Sequence, residues 1–281
     1  AQLNMRTEMG ARAEYRQADI SEKDQVQELV SGITASWGGL HGIFHIAGVI
    51  RDNYIIHKTA EEVVDVLKPK VSGLLHLDMC TKDLNLDFIV LFSSGAGEFG
   101  NPGQADYAAA NAFMDVYASY RNEWAAAGRR QGRTLSINWP LWENGGMHVD
   151  QEIEKIMFES KGMTPMKTEI GIQALYEALA QDNSQVVVLA GDTAKIRTGI
   201  LAVRGEESDS HQPDMNLENI DLDMVKEKVV RKLTVLLGET IKLHVNQIDI
   251  EEPFENYGLD SIKLTLMNQK LTEPFKDISN T

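Results

Sequence analysis

The chain of 281 residues can hold one large or two modest domains, and 43% hydrophobic residues suffice for a buried core. A formal net charge of −15 is the opposite of the clustered positive field that nucleic-acid phosphates require, and the single cysteine, Cys80, excludes an internal disulfide framework and any paired-cysteine metal site. No apolar run approaches the roughly eighteen residues of a membrane span, so no membrane partner is expected and a cytoplasmic location is the default.

The opening AQLNMRTEMGARAEYRQAD reads as a polar helix and not as a signal peptide, with a strand-like stretch over Tyr15 to Ala18. An amphipathic helix is predicted over Asp24 to Trp37, then a buried strand over Leu40 to Ala47. The alternation repeats as a long helix from Thr59 to Thr81, a strand from Leu86 to Ser94, a helix from Ala105 to Ala127 and a strand from Thr134 to Trp139. A last pair follows over Glu169 to Gln181 and Val186 to Ala190. Strands separated by such helices imply right-handed crossovers and a doubly wound parallel sheet, with ligands beyond the strands' carboxyl ends.

From Arg204 the text turns polar and aperiodic, so residues 204–217 read as a linker between a first domain, 1–203, and a second, 218–281. The second opens with an amphipathic helix over Asp223 to Leu237 and starts another near Ser261; over 205–281 it carries 16 acids against 8 lysines and arginines. Both ends read as cut from a longer chain, Ala1 falling inside a helix and the last residues stopping before a small helical domain would close.

The chemistry gathers where a strand ends. Ser93 and Ser94 close the strand LDFIVLFSS, and after the loop GEFGNPGQAD Tyr107 opens the helix YAAANAFMDVYASY. A tyrosine at a helix start usually serves packing, and FSSGAG alone reads as a turn; their conjunction at one strand end points to a site. The segments HIAG at 45–48, FSSGAG at 92–97 and YAAANAF at 107–113 resemble the ketoreductase domains of modular polyketide synthases, an extended branch of the short-chain dehydrogenases. That resemblance, over about residues 1–200, implies a Rossmann-like sheet lacking its glycine-rich first unit. It also implies that the lysine and asparagine of the wider superfamily are exchanged. Asn111 stands four residues after Tyr107, and Lys70, in a Lys-x-x-Gly sequence, stands 24 before Ser94. Tyr107 is then the acid, Lys70 the cation that stabilises its phenolate, Ser94 the donor to the carbonyl oxygen, and Asn111 the holder of Lys70 or a relaying water.

By the same resemblance Asp19, Ile20, Ala47, Gly48, Ser93 and Pro140 line an NADPH site, whose phosphate loop is expected before Ala1. Within 1–281 no glycine-rich loop is read as able to seat a pyrophosphate on a helix N-terminus. Asp52, in Ile50-Arg51-Asp52, resembles the aspartate of a family class giving the D-configured alcohol, with Arg51 replacing the middle residue of that motif. Phe99, eight before Tyr107, stands where the other class has tryptophan, and Pro102 also resembles the first class. In GLDSI, at 258–262, the resemblance is to an acyl carrier domain, a truncated all-α bundle in which Ser261 bears 4′-phosphopantetheine. The partners implied are the ketosynthase, acyltransferase and dehydratase domains of the same synthase, a phosphopantetheinyl transferase and an acyl thioester substrate. Two other readings stand beside this one: an inert reductase-fold spacer with only the carrier working, and a free-standing dehydrogenase of a small alcohol.

Overall fold

The computed structural model describes residues 10–147, 149–198, 222–250, 252 and 257, with backbone only over 222–228. It divides into two units, Ala1–His148 with Pro165–Ala190, and Val149–Thr164 with Gly191–Thr281.

In the first unit, α1 (Lys23–Trp37) buries Val26 and Val30 and stops at Gly38, whose φ of 79° turns its N–H back to the Thr34 carbonyl. Strand β1 (Gly42–His45) follows. Helix α2 (Ala60–Leu67) is opened by a capping box between Thr59 and Glu62. It runs straight into a π-helical turn, Lys68–Ser72, and on into α3 (Gly73–Cys80). The predicted long helix is therefore one rod widened at Lys70. Pro69, at the start of the wide turn, has no N–H to complete an ordinary helical ladder. Then come β2 (Phe88–Ser94), a five-residue helix α4 (Gly95–Phe99), the long α5 (Ala105–Ala126) and β3 (Arg133–Trp139).

The second unit contributes α6 (Gln151–Lys161), and the first resumes with α7 (Thr168–Leu179) and β4 (Gln185–Val187). Short α8 (Thr193–Ile196) and α9 (Leu222–Ile241) belong to the second unit, where Lys195 Nζ stands 4.3 Å over the Phe158 ring and Leu236 and Leu237 are buried against Ile248 and Tyr257. Among the described residues no helix is long and apolar enough to cross a membrane.

The four strands form one parallel sheet in the order β1-β2-β3-β4. Register places Val90 beside Leu135 and Ser94 beside Trp139. On one face Val90, Leu135, Ile137 and Trp139 pack with Met166 and Ala178; on the other Ile89 and Leu91 pack with Leu74, Met114 and Ala118. This second face changes character along β3, which presents Thr134, Ser136 and Asn138, all fully buried, to α5.

Several sequence expectations are corrected. Residues 11–19 form neither helix nor strand, because the polar run offers no apolar face to bury. The strand over Leu40 to Ala47 shrinks to Gly42–His45, and that over Val186 to Ala190 becomes Gln185–Val187. FSSGAG is not a turn but a strand end followed directly by α4. Helices α6 and α8 were not anticipated. The linker 204–217, the helix near Ser261 and the GLDSI segment lie outside the described residues.

Candidate active site

The π turn carries Lys70 inward at the carboxyl end of the sheet, where its side chain is buried to 3% exposure. Its Nζ donates to the Phe92 carbonyl oxygen at 3.0 Å and stands 5.6 Å from the centroid of the Tyr107 ring. Burial pulls the ammonium down to about 8, against the pull of the Asp115 carboxylate. The backbone after β1 closes on this cation from the other side, since a Cβ at Gly48 would stand 2.8 Å from Lys70 Cε. His45, buried at the end of β1, is held neutral down to about 4, first by burial and then by Lys70, and among the described residues its Nε2 has no hydrogen-bond partner.

Ser94, the last residue of β2, caps α4 by accepting the Ala96 N–H at 3.2 Å. Tyr107 lies in the first turn of α5 and is 6% exposed. Burial raises its phenol above the ordinary value; the nearby polar side chains of Ser94 and Asn111 oppose the rise, and the Asp52 charge adds to it. Asn111, one turn further, is fully buried and donates through Nδ2 to the Tyr107 carbonyl at 2.7 Å. Among the described residues its Oδ1 has no hydrogen-bond partner, so Asn111 does not grip Lys70 directly; the two donors go to separate backbone carbonyls.

Lys70, Ser94, Tyr107 and Asn111 are thus brought together, and Gly48 joins them. The other expected residues are more dispersed. Asp19 is exposed and accepts both the N–H and the hydroxyl of Ser21, bonds that hold its carboxyl below the usual range. Ile20 packs among Val26, Val30 and Leu77, Ala47 is exposed beyond β1, and Pro140 is buried after β3. Ser93 is buried with its hydroxyl bonded to Asn138 and to the Asn111 carbonyl. Asp52 accepts Gln104 Nε2 at 2.9 Å, and Phe99 ends α4 half-buried.

One stretch does carry the G-x-G-x-x-G spacing, Gly95-Ala96-Gly97-Glu98-Phe99-Gly100, and it follows a strand. It is spent on packing instead. A Cβ at Gly97 would stand 2.9 Å from Asn111 Cβ and 3.0 Å from the Ala112 nitrogen, so this glycine seats α4 against α5, and the helix-opening N–H of Ala96 is taken by Ser94.

Behind the four residues lies a polar network that the sequence reading missed. Asp115 accepts Ser136 Oγ at 2.5 Å and Asn138 Nδ2 at 2.7 Å; Asn138 also donates to the Ser94 carbonyl at 3.0 Å and accepts Gln185 Nε2 at 2.9 Å. Gln185 reaches Glu98 at 3.1 Å. Asn138 therefore ties the end of β2 to β3 and to α5, fixing Ser94 from its backbone side. The available signal was the alternation in Thr134-Leu135-Ser136-Ile137-Asn138-Trp139, three polar residues in a strand that has helices on both faces.

Residues 1–144 match the KR domain family. The chain is 43% identical over 271 residues to polyketide synthase PksN of Bacillus subtilis (strain 168), covering 95% of this chain and 5% of that protein. It is 35% identical over 269 residues to polyketide synthase ThaG of Burkholderia thailandensis, covering 94% of this chain and 4% of that one. The chain thus spans about a twentieth of the length of these synthases. Among solved structures, a ketoreductase domain from the bacillaene assembly line superposes with a TM-score of 0.69 at 50% identity, covering 70% of this chain and 47% of that one. An NAD+-bound xylitol dehydrogenase, at 16% identity and a TM-score of 0.57 over 66% of this chain and 81% of its own, shares the Rossmann-like fold alone. Because the family match takes in more than half of the chain and the likeness to PksN runs through nearly all of it, the chain belongs to the KR domain family, as a ketoreductase segment of a modular polyketide synthase.

Proposed function

We propose that this segment supplies the catalytic part of an NADPH-dependent β-ketoacyl reductase, converting a carrier-bound 3-oxoacyl thioester to the 3-hydroxyacyl thioester. The observation that carries the reading is the buried Lys70 ammonium 5.6 Å from the Tyr107 ring, at the strand end where Ser94 also stands. Tyr107 gives its proton to the carbonyl oxygen. Burial works against the phenolate left behind, and a positive charge on Lys70, 5.6 Å from the ring, favours it. Ser94 donates a hydrogen bond to the same oxygen as negative charge develops, and Asn111 holds the first turn of α5 in place through the Tyr107 carbonyl.

NADPH, when bound, supplies the hydride for the carbonyl carbon. Gly48, bare of side chain and exposed beyond β1, and the exposed Asp19 suit a dinucleotide lying across the carboxyl ends. Ile20, Ala47 and Pro140 complete its lining, while Ser93, whose hydroxyl is engaged inside, offers backbone only. Asp52 directs the substrate arm along its side of the groove, Phe99 leaving the opposite side without a tryptophan, and the product is the D-configured alcohol.

In the same reading residues 1–203 are the reductase, 204–217 a linker and 218–281 a carrier domain with 4′-phosphopantetheine on Ser261. The GLDSI segment supports this, as does a likeness to PksN covering 95% of the chain. Its partners are the ketosynthase, acyltransferase and dehydratase domains and the transferase that installs the arm. The test is Tyr107→Phe in the full-length protein, assayed by NADPH consumption with a simple 3-oxoacyl thioester. Removing the acid should cost at least about a hundredfold in kcat with NADPH affinity kept. A wild-type rate would overturn the assignment.

A further inference from the structure

Lys58 Nζ stands 2.7 Å from Asp106 Oδ2, and the two side chains are 2% and 3% exposed. The same ammonium donates to the Arg51 carbonyl oxygen, and Asp106 Oδ1 accepts the backbone N–H of Tyr107 at 2.8 Å. One buried ion pair therefore joins the loop after β1 to the first turn of α5, the helix that carries Tyr107. The loop meets the segment before α5 at two more points, where the Asn53 N–H donates to the Gly103 carbonyl at 2.9 Å and Gln104 Nε2 donates to Asp52 at 2.9 Å.

Lys58 is held at this spot by its neighbours. The capping box of α2 begins at Thr59, so the helix start is pinned immediately after Lys58. On the other side His57 donates to the Tyr54 carbonyl at 2.9 Å and Lys58 to the Ile55 carbonyl at 3.4 Å, folding the loop on itself. At its tip Ile55 and Ile56 are 72% and 81% exposed, and Asp52 lies at its base. Desolvating two charges is a costly way to hold a loop that apolar contacts could hold, and in some proteins such pairs serve to select one arrangement over others.

We propose that Lys58 and Asp106 act as a positioning clasp, fixing the loop Arg51–Lys58 as the wall of the substrate groove beside Tyr107 and so deciding which face of the ketone is offered for reduction. This rests on the reductase reading above. The clasp touches neither substrate nor cofactor; it works through the loop and through the backbone of Tyr107. The charged groups facing Lys58 are Asp106 and, from its own loop, Asp52.

The experiment compares wild type, Lys58→Met, Lys58→Arg and the double variant Lys58→Met/Asp106→Asn in the full-length protein. With a 3-oxoacyl N-acetylcysteamine thioester, kcat, KM and the ratio of the two 3-hydroxy enantiomers are measured, the last by chiral chromatography. Lys58→Met should raise KM about tenfold and lower the enantiomer ratio about tenfold, with a smaller change in kcat, and Lys58→Arg should restore most of both. The double variant strands no carboxylate, so it should recover the melting temperature while keeping the relaxed ratio, which carries the test if Lys58→Met folds poorly. An unchanged KM and ratio in Lys58→Met, or a fully restored ratio in the double variant, overturns the clasp alone. A wild-type protein that reduces no 3-oxoacyl thioester overturns the reductase reading and the clasp with it.

Discussion

Lys70 Nζ hydrogen-bonds the Phe92 carbonyl oxygen at 3.0 Å while lying 5.6 Å from the Tyr107 ring, so one desolvated cation is shared between the end of β2 and the phenol. With its ammonium at about 8, Lys70 is charged below that pH and neutral above it. The kcat/KM of ketone reduction should therefore fall as pH rises through about 8, and a pH-rate profile without that limb would separate Lys70 from the reaction.

The same desolvation has a cost in stability. Between about 8 and the ordinary 10.5 the unfolded chain holds a proton on this lysine that the folded chain does not, so Lys70 makes the fold gain stability as pH rises through that window. Below about 8 the full penalty applies, at most about 3 kcal/mol. Lys70→Met should accordingly slow reduction severely while raising the urea midpoint at pH 7. A variant both slower and less stable would mean that its bond to Phe92 outweighs its desolvation.

His45 gives the opposite end of the pH scale. Its imidazole stays neutral in the fold to about 4, whereas in the unfolded chain it charges below 6.5. The unfolded state thus binds the extra proton between those values, and stability falls by about 3 kcal/mol as pH drops from 6.5 to 4. His45→Asn should flatten that part of the acid-denaturation curve. Lys70→Met, by removing the neighbouring charge, should raise the His45 titration point, readable from the imidazole signals by NMR.

A second buried charge cluster is structural. Asp78 accepts Arg121 Nε at 2.7 Å and Arg130 Nη2 at 2.9 Å, with Arg121 and Asp78 side chains only 1% and 2% exposed. Arg121 also donates to Thr134 Oγ1 and to the carbonyls of Gly132 and Gln131, tying α5 to the start of β3. Arg121→Met strands those acceptors and leaves Asp78 with one partner, which should cost about 3–5 kcal/mol. Arg130→Met, at a 16% exposed side chain, should cost about 1 kcal/mol. Equal losses in chemical denaturation would show that the cluster depends on Arg130 as much as on Arg121.

The meeting of Ser94 and Tyr107 was legible because one ends a periodic strand and the other begins a periodic helix, whereas Lys70 and Asn111 were singled out only through the resemblance to ketoreductase domains. The π turn around Lys70 was not, since a widened turn and an ordinary one have the same hydrophobic pattern and Pro69 alone hints at the difference. The buried network of Asp115, Ser136 and Asn138 was hidden for a related reason: polar alternation in β3 normally marks a solvated face, and only α5 lying over it turns those residues inward. The Lys58–Asp106 pair joins residues 48 apart, one in a loop and one in the first turn of α5, where no periodicity links the two. The strand expected over Tyr15 to Ala18 is not formed, and Tyr15, its one large apolar side chain, is 73% exposed.

The last prediction concerns the glycine that seats α4. Gly97 does not adopt a left-handed conformation, so a side chain there is opposed by space alone: its Cβ would stand 2.9 Å from Asn111 Cβ, 3.0 Å from the Ala112 nitrogen and 3.1 Å from Asp115 Oδ2. Two of those atoms belong to the backbone or its first carbon and cannot swing aside, so in Gly97→Ala helix α4 must retreat from α5. The retreat moves Ser94, because its hydroxyl caps α4 and its residue ends β2. The overpacking should cost about 1–3 kcal/mol, and kcat should drop about tenfold or more, since a shift near 1 Å between reacting groups is enough for that. Gly146→Ala provides the control: a Cβ there meets nothing within 4 Å, and both stability and kcat should stay at wild-type values. If Gly97→Ala loses stability but keeps its kcat, the seat of α4 does not position Ser94, and the hydroxyl must be held through Asn138 and the β2 backbone instead.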